Sequence, residues 1–116
     1  MKKDNIILDK TFDFSLKIIE LYKQMTEQKE YILSKQLLRS ATSIGANTEE
    51  ATAAISKKDF VAKMSIASKE ARETRYWLRL IDKSSLIKVD VIPYLDEIEH
   101  IINIITAIVK TSQKAK

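Results

Sequence analysis

The chain has 116 residues, 45% of them hydrophobic and 31% charged, which is too apolar for a disordered polymer and sized for one domain with its own core. One Gly and one Pro leave almost no material for the turns of an all-β or α/β domain, so an all-α domain of helices joined by short polar connections is expected. The absence of Cys excludes disulfides and thiolate metal sites, and a net charge of +4 is mild enough that the placement of the positive charge matters more than its sum.

Helix one is expected over about residues 11–28, with Phe14, Ile18, Leu21 and Met25 on one face, Ile19 and Tyr22 widening it, and Thr11 or Asp9 as amino-terminal cap. Ahead of it, Ile6-Ile7-Leu8 follows a basic start but is too short for a signal peptide. The richest apolar stretch, Ile101 to Val109, is interrupted by Asn103 and Thr106 and falls short of the roughly 20 residues of a membrane span. A cytoplasmic protein that makes no membrane contact is the expectation.

Helix two is expected over about residues 30–55. Its apolar row of Leu37, Ile44, Ala51 and Ile55 runs beside a polar row of Gln36, Ser40, Ser43, Asn47 and Glu50, which step by four, three, four and three. Gly45 inside it costs about 1 kcal/mol relative to Ala, and the small neighbours Ala41, Ser43 and Ala46 point to a second backbone passing close by.

Helix three, about residues 57–83, opens on Ser56-Lys57-Lys58-Asp59, which has the form of a capping box. Phe60, Met64, Ala67, Ala71, Thr74, Leu78 and Ile81 make its apolar row, while Glu70, Glu73 and Trp77 repeat beside it. Trp77, with Leu80 and Ile66, reads as an anchor between helices. Two contact faces on each middle helix exceed the needs of a lone bundle, so association with further copies of the chain is expected. Asp90 and Pro93 open helix four, about residues 90–111, whose wide apolar face runs through Val91, Leu95, Ile98, Ile102, Ile105 and Val109 with Ile101 and Ile108 beside it. Residues 111–116 read as a basic tail that frays.

Catalytic constellations are sparse. Glu97 and His100 have the spacing of paired ligands in di-iron carboxylate bundles, but such a site needs two of these motifs plus two more carboxylates, and His100 is the sole histidine. Neither a Gly-rich phosphate loop nor metal-ligand spacing is present. Glu50, Glu70 and Glu73 offer a possible acid/base or metal cluster, against which Arg39, Lys63 and Asn47 offer a simpler account. Together with Ser43 and Trp77 these residues satisfy one another as a structural polar network along a helix or oligomer seam. No enzymatic activity, metal or cofactor is expected; a carboxylate metalloenzyme using Glu50, Glu70, Glu73 and His100 is the second alternative.

Opposite the apolar row of helix three run Lys58, Lys69, Arg72, Tyr76, Arg79 and Lys83, with Arg75 at the margin and no Asp or Glu in the line. Solvated helix faces ordinarily mix signs, because Glu and Lys four apart support each other. An uninterrupted basic strip with a Tyr set into it suits the phosphate backbone of RNA or DNA, the ring being available for stacking. The competing readings are a plain solvated face and a structural or protein-interaction module that binds no nucleic acid.

Leu37 through Ala51, followed by Ser56-Lys-Lys-Asp-Phe60, Lys63-Met-Ser-Ile-Ala67, Lys69-Glu-Ala71 and Glu73-Thr-Arg-Tyr-Trp-Leu78, closely resembles the bacterial four-helix-bundle proteins encoded in intervening sequences of 23S rRNA genes. Phe12-Asp-Phe14 and Ile18 to Tyr22 extend the likeness over nearly the whole chain, and helix four carries it loosely. The resemblance implies an antiparallel up-down-up-down bundle, assembly as a homopentamer, and no established enzymatic activity. Arg39, Ser43, Asn47, Glu50, Lys63, Glu70, Glu73 and Trp77 occupy the positions characteristic of that family. A related branch, the accessory proteins of diversity-generating retroelements, binds nucleic acid and a reverse transcriptase, which adds both as expected partners if this chain belongs to that branch.

Overall fold

Apolar residues recurring at three and four wind into four helices in the computed structural model, which describes the backbone of residues 2–114 and the side chains of residues 6–114. They are α1 (Lys2–Glu27), α2 (Leu33–Thr52), α3 (Lys57–Ser84) and α4 (Ile92–Lys114). Short connections force each helix to run back along its predecessor, so α1 packs on α2, α2 on α3 and α3 on α4. The smallest interface, between α4 and α1, closes the bundle, whose extents are 49 × 21 × 20 Å. Phe14, Ile18 and Leu21 of α1, Leu37 and Ile44 of α2, Met64 and Leu78 of α3, and Ile98, Ile101 and Ile105 of α4 fill the core. This is the all-α four-helix bundle that composition and periodicity point to.

Helix boundaries depart from the expected ones where local chemistry outweighs periodicity. α1 starts at Lys2 rather than near residue 11, because Ile7 continues the row of Thr11, Phe14 and Ile18 into the core. Thr11 is therefore no cap. Its buried hydroxyl bonds back to the Ile7 carbonyl at 2.8 Å and meets the Thr48 hydroxyl of α2 at 3.1 Å. α2 ends at Thr52, which leaves Ile55 outside the helix and 95% exposed instead of in the core row. α4 continues through residues 111–114 as regular helix; residues 115–116 of the expected tail lie outside the described residues.

The turn between α1 and α2 needs no Gly because Lys29 itself takes the left-handed conformation, φ 67°. Its amide donates to the Thr26 carbonyl at 2.9 Å and the Glu30 amide to the Met25 carbonyl at 2.9 Å, the pairing that closes a helix with a left-handed residue after it. Glu30 then starts α2. Its carboxylate accepts from the amides of Ile32, Leu33 and Ser34 at 3.0, 2.9 and 2.7 Å, satisfying donors that the first turn of a helix otherwise leaves open. The Gln28 side chain binds both backbone groups of Lys88, at 2.9 and 2.8 Å, and so ties this turn to the α3–α4 connection. At α3, Ser56 accepts from the Asp59 amide at 3.0 Å as expected, while the Asp59 carboxylate reaches the amide of Ile55, at 3.4 Å, rather than that of Ser56.

The close approach expected at Gly45 is made by α1. A methyl group there would lie 3.5 Å from Ser15 Oγ and 3.6 Å from the Thr11 carbonyl oxygen, ordinary contact distances, so packing within the chain does not itself demand glycine.

Burial alone would raise the Glu30 carboxyl, but the amides of Leu33, Ser34 and Ile32 and the Ser34 side chain outweigh it and hold the group below its ordinary value of 4.5. A lowered folded-state value means that this stabilisation is fully present above the ordinary value and is lost as pH falls through the folded one. Glu30→Ala should therefore cost about 1–2 kcal/mol near neutrality, with the gap to wild type narrowing as pH drops below 4.5. Denaturant titrations across that range check this; a gap independent of pH would show that the charge is not what caps α2.

Candidate nucleic-acid interface and the adjoining polar seam

α3 presents three differently used sides. Met64, Ala67, Ala71, Thr74, Leu78 and Ile81 are buried against the other helices. On the opposite side Lys58, Lys69, Arg72, Tyr76, Arg79 and Lys83 are all exposed. Among the described residues Lys58, Lys69, Arg72 and Arg79 form no ion pair, and Lys83 comes within 4.0 Å of Asp82. Arg72 Nη2 lies 3.5 Å from Thr106 Oγ1 of α4. Arg75, at the margin of the strip, is taken out of it by a two-pronged bond to Glu99 of α4, 3.0 Å to each oxygen.

The side of α3 that faces α2 carries its two central carboxylates, Glu70 and Glu73. Arg39 of α2 donates to Glu73 Oε2 and stands 3.7 Å from Glu70 Oε1. Trp77 Nε1 donates to the same Glu73 oxygen at 3.0 Å, which fixes the indole along the seam. Glu70 is the more deeply placed acid: its side chain is 12% exposed, and its Oε1 is buried with no hydrogen-bond partner. Further along, Lys63 donates to Glu50 at 2.9 Å, and this bond and the charge of Glu50 raise the Lys63 ammonium above its ordinary value. Asn47 bonds the carbonyl and hydroxyl of Ser43, at 2.8 and 3.1 Å, on its own helix. Six of the eight seam residues thus meet between α2 and α3 of one chain, and Asn47 with Ser43 stays on α2.

Chemically the seam pairs carboxylates with cations. Among the described residues no three His, Cys, Asp or Glu are grouped so as to hold a metal. The ligand spacing of Glu97 and His100 is diverted: Glu97 accepts from Lys17 of α1 at 3.0 Å, while His100 borders an apolar groove of about 450 Å³ with Ile6, Lys10 and Ile104. No helix among the described residues is long and apolar enough to cross a membrane.

Residues 3–107 match the family model of the 23S rRNA-intervening sequence proteins. The chain belongs to this family. It is also similar to a solved structure of a protein of unknown function from the S23 ribosomal protein family of Bacteroides thetaiotaomicron VPI-5482, at 44% identity and a TM-score of 0.88 over 93% of this chain and 98% of that one. No curated protein matches the sequence significantly.

In this 23S rRNA-intervening sequence protein, several polar contacts escape a reading by periodicity. Ser40, which steps in line with the polar row of helix two, is fully buried, and Thr74 Oγ1 donates to its hydroxyl at 2.9 Å. The hydroxyl signal at both positions was visible in the sequence, but their pairing requires knowing how α2 and α3 cross. Likewise, Thr106 and Lys110 of α4 join Arg72 at a common groove that no single-helix pattern reveals.

Removing Arg39 leaves Glu70 and Glu73 without their common cation, and because Arg39 is more than half exposed Arg39→Ala should destabilise the fold by only about 1 kcal/mol. Glu70→Leu removes the unbonded buried oxygen and should be neutral or stabilising. In the Glu70→Leu background the cost of Arg39→Ala should shrink. Strict additivity in this double-mutant cycle would show that Arg39 does not act on Glu70.

Proposed function

We propose that this family member is a non-enzymatic binding and scaffold module of the cytoplasm, a homo-oligomer, pentameric by its resemblance, that holds nucleic acid on the outer face of α3. The observation that carries this reading is the separation of charge around α3. Glu70 and Glu73 are held on the α2 side by Arg39, so the outer face, opposite the buried row, keeps Lys58, Lys69, Arg72 and Arg79 exposed without an acidic partner among the described residues. Cations left unpaired in this way gain by displacing the counterions of a polyphosphate, and Tyr76, 52% exposed within the strip, supplies a flat surface for a base. Repetition of the strip around an oligomer multiplies the charge presented to one strand.

Self-association is supported by a second, separate surface. Phe12 and Leu16 of α1 are 62% and 49% exposed, and Phe12 borders a groove of about 290 Å³ floored by Ser15, Gly45 and Ala46. Large apolar groups beside small ones mark a protein contact. The basic strip and this patch lie on different helices, so binding and assembly are separable.

Arg72→Glu combined with Arg79→Glu should abolish binding of RNA and DNA at low salt, followed by fluorescence anisotropy, while light scattering reports an unchanged oligomer. Binding retained at wild-type strength would reject α3 as the nucleic-acid face, and a wild-type chain that scatters as a monomer at every concentration would reject the assembly.

A further inference from the structure

The basic strip continues off α3. Between α3 and α4 lies a groove of about 290 Å³ lined by Val109 and by six polar residues, Ser65, Ser68 and Arg72 from α3 and Thr106, Lys110 and Gln113 from α4. Each of the six polar side chains can donate hydrogen bonds, two are cations, and no carboxylate lines the groove. Arg72 is laid across it, Nη2 being 3.5 Å from Thr106 Oγ1. The negative end of the α4 dipole is confined to its last turn and is opposed there by Lys114. Donors converging from two helices with no competing acid are the chemistry of an oxyanion seat.

One helical turn from Arg72 stands Tyr76. Its ring is in edge-to-face contact with Trp77, centroids 5.2 Å apart at 68°, and the residue is 52% exposed. Trp77 is in turn held by Glu73, so the tyrosine is braced from behind by the seam and open in front.

Building on the nucleic-acid reading above, we infer that the α3–α4 groove seats a backbone phosphate of a single-stranded nucleic acid while a neighbouring base stacks on Tyr76. A duplex also offers phosphates to the groove, but its bases are paired and stacked internally and do not reach the ring. Single strands are therefore the favoured ligand, and Lys110 and Gln113 of α4 join the binding surface.

The test measures anisotropy of a short fluorescent oligothymidylate and of a duplex of equal length, at low salt, on the full chain. Lys110→Glu should weaken both by about tenfold or more, with Lys110→Arg near wild type. Tyr76→Ala should weaken the single strand by about tenfold and leave the duplex within about twofold, and Tyr76→Phe should restore the preference. Circular dichroism and light scattering accompany each variant; Lys110→Gln, expected to show a smaller loss on both ligands, replaces any charge reversal that fails to fold. Wild-type affinity in the Lys110 variants, in a protein whose Arg72→Glu/Arg79→Glu form no longer binds, would overturn the groove while leaving the strip as the binding face. Equal losses for single strand and duplex on Tyr76→Ala would overturn the stacking. Wild-type protein that binds neither oligonucleotide would remove the underlying reading and this inference together.

Discussion

Arg39 reaches from α2 to two carboxylates of α3, and much of the molecule's surface chemistry follows from that contact. Glu73 accepts from the guanidinium and from Trp77, while Glu70 sits deeper with a buried oxygen that no hydrogen bond satisfies. A buried or half-buried ion pair of this kind adds little net stability, because desolvation offsets most of the attraction. Its consequence is positional. With its central acids committed to the α2 side, the outer face of α3, opposite its buried row, carries Lys58, Lys69, Arg72, Tyr76 and Arg79 without an acid among them, and a slip of one turn against α2 would break the Arg39 contact.

The rest of the bundle supports that register with hydroxyl pairs set into an apolar core. Ser40 meets Thr74 across the α2–α3 interface and Thr11 meets Thr48 across α1–α2, all four buried. Small polar pairs satisfy each other while letting backbones approach, so they specify which residues face one another at little cost in packing. Glu30 and Gln28 do the same at one end of the bundle, the first by capping α2 and the second by clasping Lys88. Helix ends and helix seams are thus defined by polar contacts, while the apolar rows supply the drive to associate.

How much of this is legible in the letters depends on the range of the interaction. Rows such as Phe14, Ile18, Leu21 and Met25 are local in sequence and read directly, as does the Ser56 cap three residues from its partner. Thr11 misleads because a threonine before an apolar run looks like a cap, whereas its hydroxyl is satisfied by the preceding turn and α1 runs on to Lys2. Ile55 misleads because the end of α2 is set by backbone geometry rather than by the apolar period. The strip from Lys58 to Lys83 lies on one helix and is visible from spacing alone, but Lys110 and Gln113 join it only through the crossing of α3 and α4. Residues on one helix are read from period; residues brought together by two helices wait for the fold.

An exposed face of unpaired cations makes one demand on any nucleic acid it holds: the affinity must be carried by counterion release. The most direct measurement is therefore the affinity of the wild-type chain for single-stranded DNA as a function of salt concentration. With Lys58, Lys69, Arg72 and Arg79 engaged, log K should fall with log salt at a slope of about −3 for each chain in contact. A slope near zero would contradict the account.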